Sequence, residues 1–579
     1  MKLLARFTAK YKLTLVLIIL FSVAMVVFQL WNTGFIANVT NDTIEALDGK
    51  ITDEQYKTRL VETGFVMLII MLGMVISAVL GGYFSGRVAV HVSEDIRNRL
   101  YEKTMTFSLK EMNDITVPSM ITRCTNDVLQ VQNGLYLLLT TALPVPFLII
   151  GGIVGVMQYQ FSMAWIVALA VGLVCGLFVL LIRKALPLHQ RMAVELDSLN
   201  RVTREGLSGI QILRALNREK WNGDRIRDGS MKLKKTAESS GLIEAVMQPC
   251  MYLILNLLSL LVLWISGSAV SNDTMQVGDI TAFINYLYMV ISGLIMGAVV
   301  GLQMPRVVIG MGRIREVLDT EPAICDGKGA DISTLPNCDV EFENVSFRYS
   351  EEAGMVVRNI SFTAKQGEMT VIVGNTGCGK TTLMQLIPRL YDAAEGTIRI
   401  GGTDVREMKL DELRSLIGYV PQRAFLYSGN IRSNIAFRDQ AILDDEVVKA
   451  AELSQSMPFI QAKEKGFAEW IAQGGSNVSG GQRQRLTIAR ALTGSPKILI
   501  LDDSASALDL ETGLKLRDAI LSIMGDITVI FVTQRLSFIR NADKIVVMQD
   551  GEIKAVGKHE ELKQNCGIYQ DILQSQMGA

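Results

Sequence analysis

The stretch Gly374-Asn375-Thr376-Gly377-Cys378-Gly379-Lys380-Thr381-Thr382 carries glycines, a lysine and hydroxyls at the spacing of a phosphate-binding P-loop. Glycines let backbone amides curl around an anion. Lys380 is placed to reach the terminal phosphates of ATP, and the Thr381 hydroxyl to ligate Mg2+. The apolar run before it, Thr370 to Val373, reads as a strand, and a helix after the loop would aim its positive end at the phosphates. A second apolar run, Ile498-Leu499-Ile500-Leu501, ends in Asp502-Asp503. An acid at the end of such a strand is the usual metal partner of a P-loop, and Asp502 is assigned that role.

These residues lie in the second half of a chain of 579 residues, 49 % apolar and 20 % charged, with mean hydropathy +0.30. That is too apolar for a soluble enzyme and too charged for a protein lying wholly in a bilayer, so a membrane part joined to a soluble part is expected. The net charge of −1 gives no reason to expect a nucleic-acid partner. Cys124, Cys175, Cys250, Cys325, Cys338, Cys378 and Cys566 form no paired motif and read as free thiols. His91, His189 and His559 are too scattered for a metal site.

The first half supplies the membrane part. Leu13 to Ile36 and Thr63 to Gly86 carry no charge, and none falls between Asp127 and Arg183. That last region is long enough for two spans, with a polar turn at Gln158-Tyr159-Gln160. Ala245 to Asn272 and Ile280 to Gln303 complete a set of six. The basic N-terminus (Lys2, Arg6, Lys10, Lys12) leads into a run too long for a signal core, so it reads as the first span. Lys and Arg concentrate at the N-terminus and in the connections near 87–130 and 183–244, which therefore read as cytoplasmic, helical and amphipathic. Polar Gln29, Asn32, Asn256, Asn285, Tyr286 and Ser292 within spans either line a cavity or join neighbouring helices. For Met247, Met251, Tyr286, Tyr288, Met289 and Met296, helix packing is the favoured reading over a plastic apolar cavity. Composition shifts after Arg313. The expected organisation is a membrane domain over 1–320, a linker over 321–337 and a nucleotide-binding domain over 338–579, its first strand at Val340 to Phe347.

Between the two phosphate motifs stands Val478-Ser479-Gly480-Gly481-Gln482, ahead of a helix expected near Arg483. It resembles the signature sequence of ATP-binding cassette (ABC) proteins, with Val in place of the usual Leu. A serine, small glycines and a helix N-terminus suit a second anion site, able to meet the γ-phosphate held by another cassette. Other positions match the family in order. Tyr349 corresponds to the aromatic that stacks on adenine, and Gln422 in Tyr419-Val420-Pro421-Gln422 to the loop touching Mg2+ and the membrane domain. Asp509 in Ser506-Ala507-Leu508-Asp509 corresponds to the loop that crosses the cassette dimer. Ile121 to Val128, with Arg123, Asn126 and Asp127, and Glu205 to Glu219 resemble the cytoplasmic loops that carry coupling helices. The resemblance covers essentially the whole chain. It implies a six-helix membrane domain followed by an α/β P-loop cassette: a half-transporter of the exporter type, bacterial, in the plasma membrane, with both termini and the cassette in the cytoplasm.

Three positions depart from the pattern. Asp503 stands where the family has a catalytic Glu, Gln534 in Thr533-Gln534-Arg535 where it has a switch His, and Gln473 where many exporters have Glu before the signature. Asp is one methylene shorter, which leaves its carboxylate about 1 Å short of the attacking water. Gln donates a hydrogen bond but carries no charge. The pattern is similar to that of one subunit of heterodimeric multidrug exporters. It implies a degenerate site here, a partner half-transporter carrying the Glu and the His, and a small amphipathic substrate. The alternatives are a slow homodimeric exporter of lipid or peptide and a nucleotide-gated regulatory subunit. A peptide processor with an N-terminal protease is disfavoured, because the first span begins about a dozen residues in.

Overall fold

The computed structural model describes residues 2–159, 163–271, 275–327, 329–330, 332 and 335–577. Gln160 and Asn272, named above at a turn and a span end, lie outside them, as do linker positions 328, 331, 333 and 334. The chain divides into two compact units, Met1–Thr104 with Pro118–Thr320, and Met105–Val117 with Glu321–Ala579.

The first unit is helical. Short α1 (Lys2–Thr8) precedes α2 (Lys12–Leu47) and α3 (Asp53–Met105). After α4 (Leu109–Ile115), which belongs to the second unit, come α5 (Val117–Tyr159), α6 (Ala164–Ser208), α7 (Ile210–Ala215), α8 (Glu219–Ser271) and α9 (Val277–Asp319). Among the described residues, 6 helices are long and apolar enough to cross a membrane, each far longer than the roughly 20 residues a bilayer needs. With little hydrophobic drive between helices in lipid, small residues allow close packing. A Cβ on Gly155 of α5 would lie 2.7 Å from the ring of Tyr286 on α9. The Tyr286 hydroxyl donates to the Leu30 carbonyl at 3.2 Å and so joins α9 to α2.

Ile121 to Val128 is not a separate coupling helix. Those residues belong to α5, with a π turn over Arg123–Asp127. Arg123 and Asp127 are buried, Arg123 bonding Glu316 of α9 at 3.0 Å. The separate short helix lies earlier, at α4, and local chemistry explains why. Ser108 and Glu111 form a capping box at its start, and Thr116 at φ 65 ends it. Within 205–219 the short helix α7 does occur.

In the second unit an antiparallel sheet pairs β1 (Val340–Phe347) with β2 (Val357–Ala364) on one side. On its other side β1 pairs with β4 (Glu395–Ile400), and β5 (Thr403–Asp404) pairs with β4 at the edge. The larger sheet contains β3 (Met369–Gly374), β6 (Ile417–Val420), β7 (Ile498–Asp502), β8 (Thr528–Val532), β9 (Lys544–Gln549) and β10 (Glu552–Gly557). Its order is β10-β9-β3-β8-β7-β6, all parallel except the edge strand β10. β3, β7 and β8 are buried on both faces, as their unbroken apolar runs require. The described part of 321–337 is bonded to this unit. Leu410 N–H donates to Asp326, Gly327 N–H to the Met408 carbonyl, and Arg389 to the Cys325 carbonyl.

Candidate functional site

Strand register assembles the site. Val532 of β8 lies beside both Asp502 of β7 and Ile372 of β3. The carboxyl ends of three parallel strands therefore meet at one level, where ligands of open α/β sheets bind. The P-loop leaves β3 there and turns into α10 (Lys380–Leu386). Gly379 caps that helix at φ 94, a conformation that favours glycine, and a Cβ on it would lie 3.0 Å from the Val356 carbonyl.

A cavity of about 260 Å3 opens at this level, lined by Thr376, Gly377, Gly379, Lys380, Thr381, Thr382, Gln422, Asp502, Asp503 and Gln534 together with Val356, Val532 and Thr533. The P-loop, the Gln422 loop, the β7 acids and the residues after β8 thus converge. Lys380 Nζ donates to the Gly374 and Asn375 carbonyls at 2.8 and 2.7 Å, and lies 3.7 Å from Cys378 Sγ. Thr381 Oγ1 donates to Asp502 Oδ1 at 3.1 Å. Asp502 is 1 % exposed, and its Oδ2 has no hydrogen-bond partner among the described residues. Burial, with the neighbouring Asp503, pushes its carboxyl up to about 6 against the opposing Thr381 bond and Lys380 charge. A buried acid oxygen without a donor, beside a hydroxyl, is the oxygen-rich setting a hard divalent cation takes, so the residues fit Mg2+.

Asp503 also sits high in pKa through burial, opposed by a hydrogen bond with Gln422, the Lys380 charge and a bond with Ser506. Its backbone is left-handed at φ 45, with its N–H donating to the Val532 carbonyl at 2.9 Å. Gln534 Nε2 donates to the Gly374 carbonyl at 3.2 Å, next to Lys380.

Tyr349 lies just past β1, exposed, with its hydroxyl 2.8 Å from Thr382 Oγ1 and its ring edge-on to Tyr391 at 5.3 Å. The Ser479–Gln482 turn does not line the cavity, nor does Asp509. Ser479 caps α11 (Gly480–Leu492), which begins earlier than expected because Ser479 and Gln482 close a capping box. A Cβ on Gly480 would meet nothing within 4 Å, so this helix end is open to approach. Asp509 caps α12 (Leu510–Ile523) through the Thr512 N–H at 2.9 Å. Gln473 stands in a short 3-10 turn before the signature.

Some contributing residues were not singled out from the sequence. Arg535 donates to the Ser506 carbonyl at 3.0 Å and to the Leu508 carbonyl, fixing the loop before Asp509. Arg490 on α11 donates to the Phe425 carbonyl and to buried Asn434, tying the signature helix to the chain after Gln422. Asn113 of α4 donates to the Tyr391 hydroxyl at 2.9 Å. Arg535 follows Gln534 directly, and only that adjacency could have marked it. Asn113 and Tyr391 lie 278 positions apart and carry no local signal.

In the membrane unit, Met247, Met251, Tyr288, Ser292 and Met296 line one cavity of about 340 Å3, and Met251 is also buried in the helical core with Tyr286 and Met289. Asn285 donates to its own helix, at the Thr281 carbonyl. Asn32 Oδ1 is buried with no partner among the described residues.

Comparison with known proteins matches residues 12–294 to the family model of the ABC transporter transmembrane region and 357–506 to that of the ABC transporter. The chain is 36 % identical over 514 residues to an uncharacterized ABC transporter ATP-binding protein of Bacillus subtilis, covering 88 % of this chain and 89 % of that one. It is 32 % identical over 489 residues to an ATP-dependent lipid A-core flippase of Syntrophus aciditrophicus, covering 84 % and 81 %. In fold it is similar to a bacterial Atm1-family ABC exporter with ATP bound, with TM-score 0.81 and 23 % identity over 96 % of this chain and 97 % of that one. A membrane domain of six long helices and a P-loop cassette in one chain, each matched in sequence, place this protein in the ABC transporter family, as a half-transporter whose cassette is an ATPase coupled to transport.

Proposed function

We propose that this chain is one subunit of a heterodimeric exporter in a bacterial plasma membrane, with both termini and the cassette cytoplasmic. In this reading it holds ATP at a degenerate site and lends its Ser479–Gln482 signature to a competent site on an unlike partner. The observation carrying the reading is the pair Asp503 and Gln534 on the wall of the nucleotide cavity. A base must come within hydrogen-bond reach of the attacking water, and a 1 Å shortfall costs on the order of 10²-fold. Gln534 donates to the loop but carries no charge to place on a γ-phosphate.

The binding parts are complete. Lys380 and the P-loop amides would hold phosphates, Tyr349 would offer a ring to adenine, and Thr381, Asp502 and Gln422 would hold Mg2+. When bound, Mg2+ neutralises charge on the phosphate oxygens. This site then serves as a long-lived clamp, while the Glu and His of the partner perform turnover. Closing the clamp shifts the membrane helices between inward- and outward-facing states through differential binding to the two.

The methionine- and tyrosine-lined cavity between α8 and α9 supports drugs or other amphipathic compounds as cargo, since thioether side chains repack around varied shapes. The flippase relative favours a second reading, a homodimeric lipid exporter.

The test is nucleotide identity. The assembled exporter is cycled with labelled Mg-ATP, washed and quenched. The account predicts that unhydrolysed ATP stays on this chain and is lost in Lys380→Ala. Retention of ADP alone would overturn it.

A further inference from the structure

Apart from the nucleotide site and the cavity between α8 and α9, the membrane unit contains a larger cavity, of about 550 Å3, walled by α1, α5 and α9. Its size suits a small amphiphile. Leu4, Leu138, Met304, Val308 and Met311 give it an apolar lining, while Arg6, Arg315 and Asp319 supply charge. The Arg315 Nε–H donates to Asp319 at 2.8 Å. The terminal nitrogens of Arg315 and the whole Arg6 guanidinium have no protein partner among the described residues. One of the two positive charges is thus uncompensated.

The walls are built into the fold. Leu4 and Phe7 are buried, so α1 is seated on the helical unit. Just beyond it, Lys10 Nζ lies 3.0 Å from Asp95 of α3, and the Tyr11 hydroxyl donates to the same carboxylate. Leu138 opens a π turn in α5, closed by the Leu143 N–H to the Leu138 carbonyl at 2.9 Å. Such turns recur where a helix wall is shaped for a ligand. The basic residues Lys2, Arg6, Lys10 and Lys12 place α1 at the cytoplasmic membrane surface, where acidic lipids concentrate.

We infer that this cavity binds an acidic phospholipid of the inner leaflet, its phosphate held by Arg6 and Arg315 and one of its two acyl chains laid along Leu138, Met304 and Val308. The site is separate from the cargo cavity, so its occupant is a resident lipid that fixes α1 against α9. The inference rests on the proposed cytoplasmic N-terminus, but on neither the heterodimer nor the cargo.

Native mass spectrometry of the full-length transporter in detergent tests it, with phosphatidylglycerol and phosphatidylcholine titrated separately. The expected result is a first phosphatidylglycerol bound at least tenfold tighter than phosphatidylcholine. That preference should be lost in Arg6→Gln/Arg315→Gln, a weakening of at least tenfold from two charge-assisted contacts, and largely kept in Arg315→Lys. Val308→Trp, which fills the cavity but keeps both arginines, should weaken both lipids. Equal binding of the two lipids, or unchanged phosphatidylglycerol binding in the Gln variant, would overturn the inference. Millimolar inorganic phosphate should not displace the lipid. Displacement as effective as by phosphatidylglycerol would make this an anion site and overturn the lipid assignment. The assay reads the cavity whichever partner assembles, so its failure leaves the functional reading standing.

Discussion

Gln534 Nε2 and Lys380 Nζ donate to one acceptor, the Gly374 carbonyl, at 3.2 and 2.8 Å. Gln534, a neutral amide, is thereby tied to the turn that leads into the P-loop. Gln534→Ala removes one neutral hydrogen bond, worth about 1 kcal/mol, so ATP affinity at this site should fall only several-fold. Lys380→Ala should abolish it. Equilibrium binding of a fluorescent ATP analogue to the assembled transporter checks both.

On the proposed division of labour, introducing the Glu and the His should convert the clamp into a turnover site. Asp503→Glu lengthens the acid by one methylene, and Gln534→His adds an ionisable ring. Together they should raise turnover at this site by about 10²-fold, measured with the partner's own catalytic Glu replaced. Asp503→Glu alone should yield less, because the left-handed backbone at Asp503 is tolerated better by Asp than by Glu.

Glu111 makes α4 sensitive to acid. Burial alone would raise its carboxyl, but hydrogen bonds from the Ser108 side chain and backbone and from Ala323 N–H outweigh this and lower it. An acid lowered on folding stabilises fully above its unfolded value and loses that contribution as pH falls through the folded one. Amide exchange over 108–116, taken relative to the intrinsic rate at each pH, should therefore be constant from about pH 5 to 8 and accelerate below about pH 4. Glu111→Gln should accelerate it at neutral pH, at a cost of about 1–2 kcal/mol.

Gly155 is a packing position, whereas Gly172 is open. A Cβ at Gly155 would overlap the Tyr286 ring, and nothing lies within 4 Å of one at Gly172. Gly155→Leu should destabilise the membrane unit by about 1–3 kcal/mol, and Gly172→Leu should be near neutral. Thermal denaturation in one detergent compares them.

The placement of the site was legible because its motifs are local. The P-loop, the strand ending at Asp502 and the signature each occupy a few consecutive residues, and the strands at their ends form where apolar runs required them. The six spans were legible for the same reason, from uninterrupted apolar length. Where the reading failed, short polar contacts decided. The short helix that follows α3 is α4 rather than Ile121–Val128, because Ser108 and Glu111 cap it and Arg123 and Asp127 are buried against α9. The α11 start moved to Gly480 because Ser479 caps it. Of the Met247–Met296 set, Tyr286 and Met289 lie in the core, Tyr288 and Met296 line the cavity, and Met251 does both, as set by which face of each helix meets a neighbour. The Asn113–Tyr391 bond joins distant segments and leaves no trace in either one alone.

The most direct test of the division of labour is Mg-ATP hydrolysis in lipid by this chain alone and by this chain co-purified with its partner. The account predicts negligible turnover alone and clear turnover for the pair, abolished by removing the partner's catalytic Glu and mostly kept in Asp503→Ala. Strong turnover by this chain alone, lost in Asp503→Ala, would contradict it and show that Asp503 and Gln534 form a working homodimeric site.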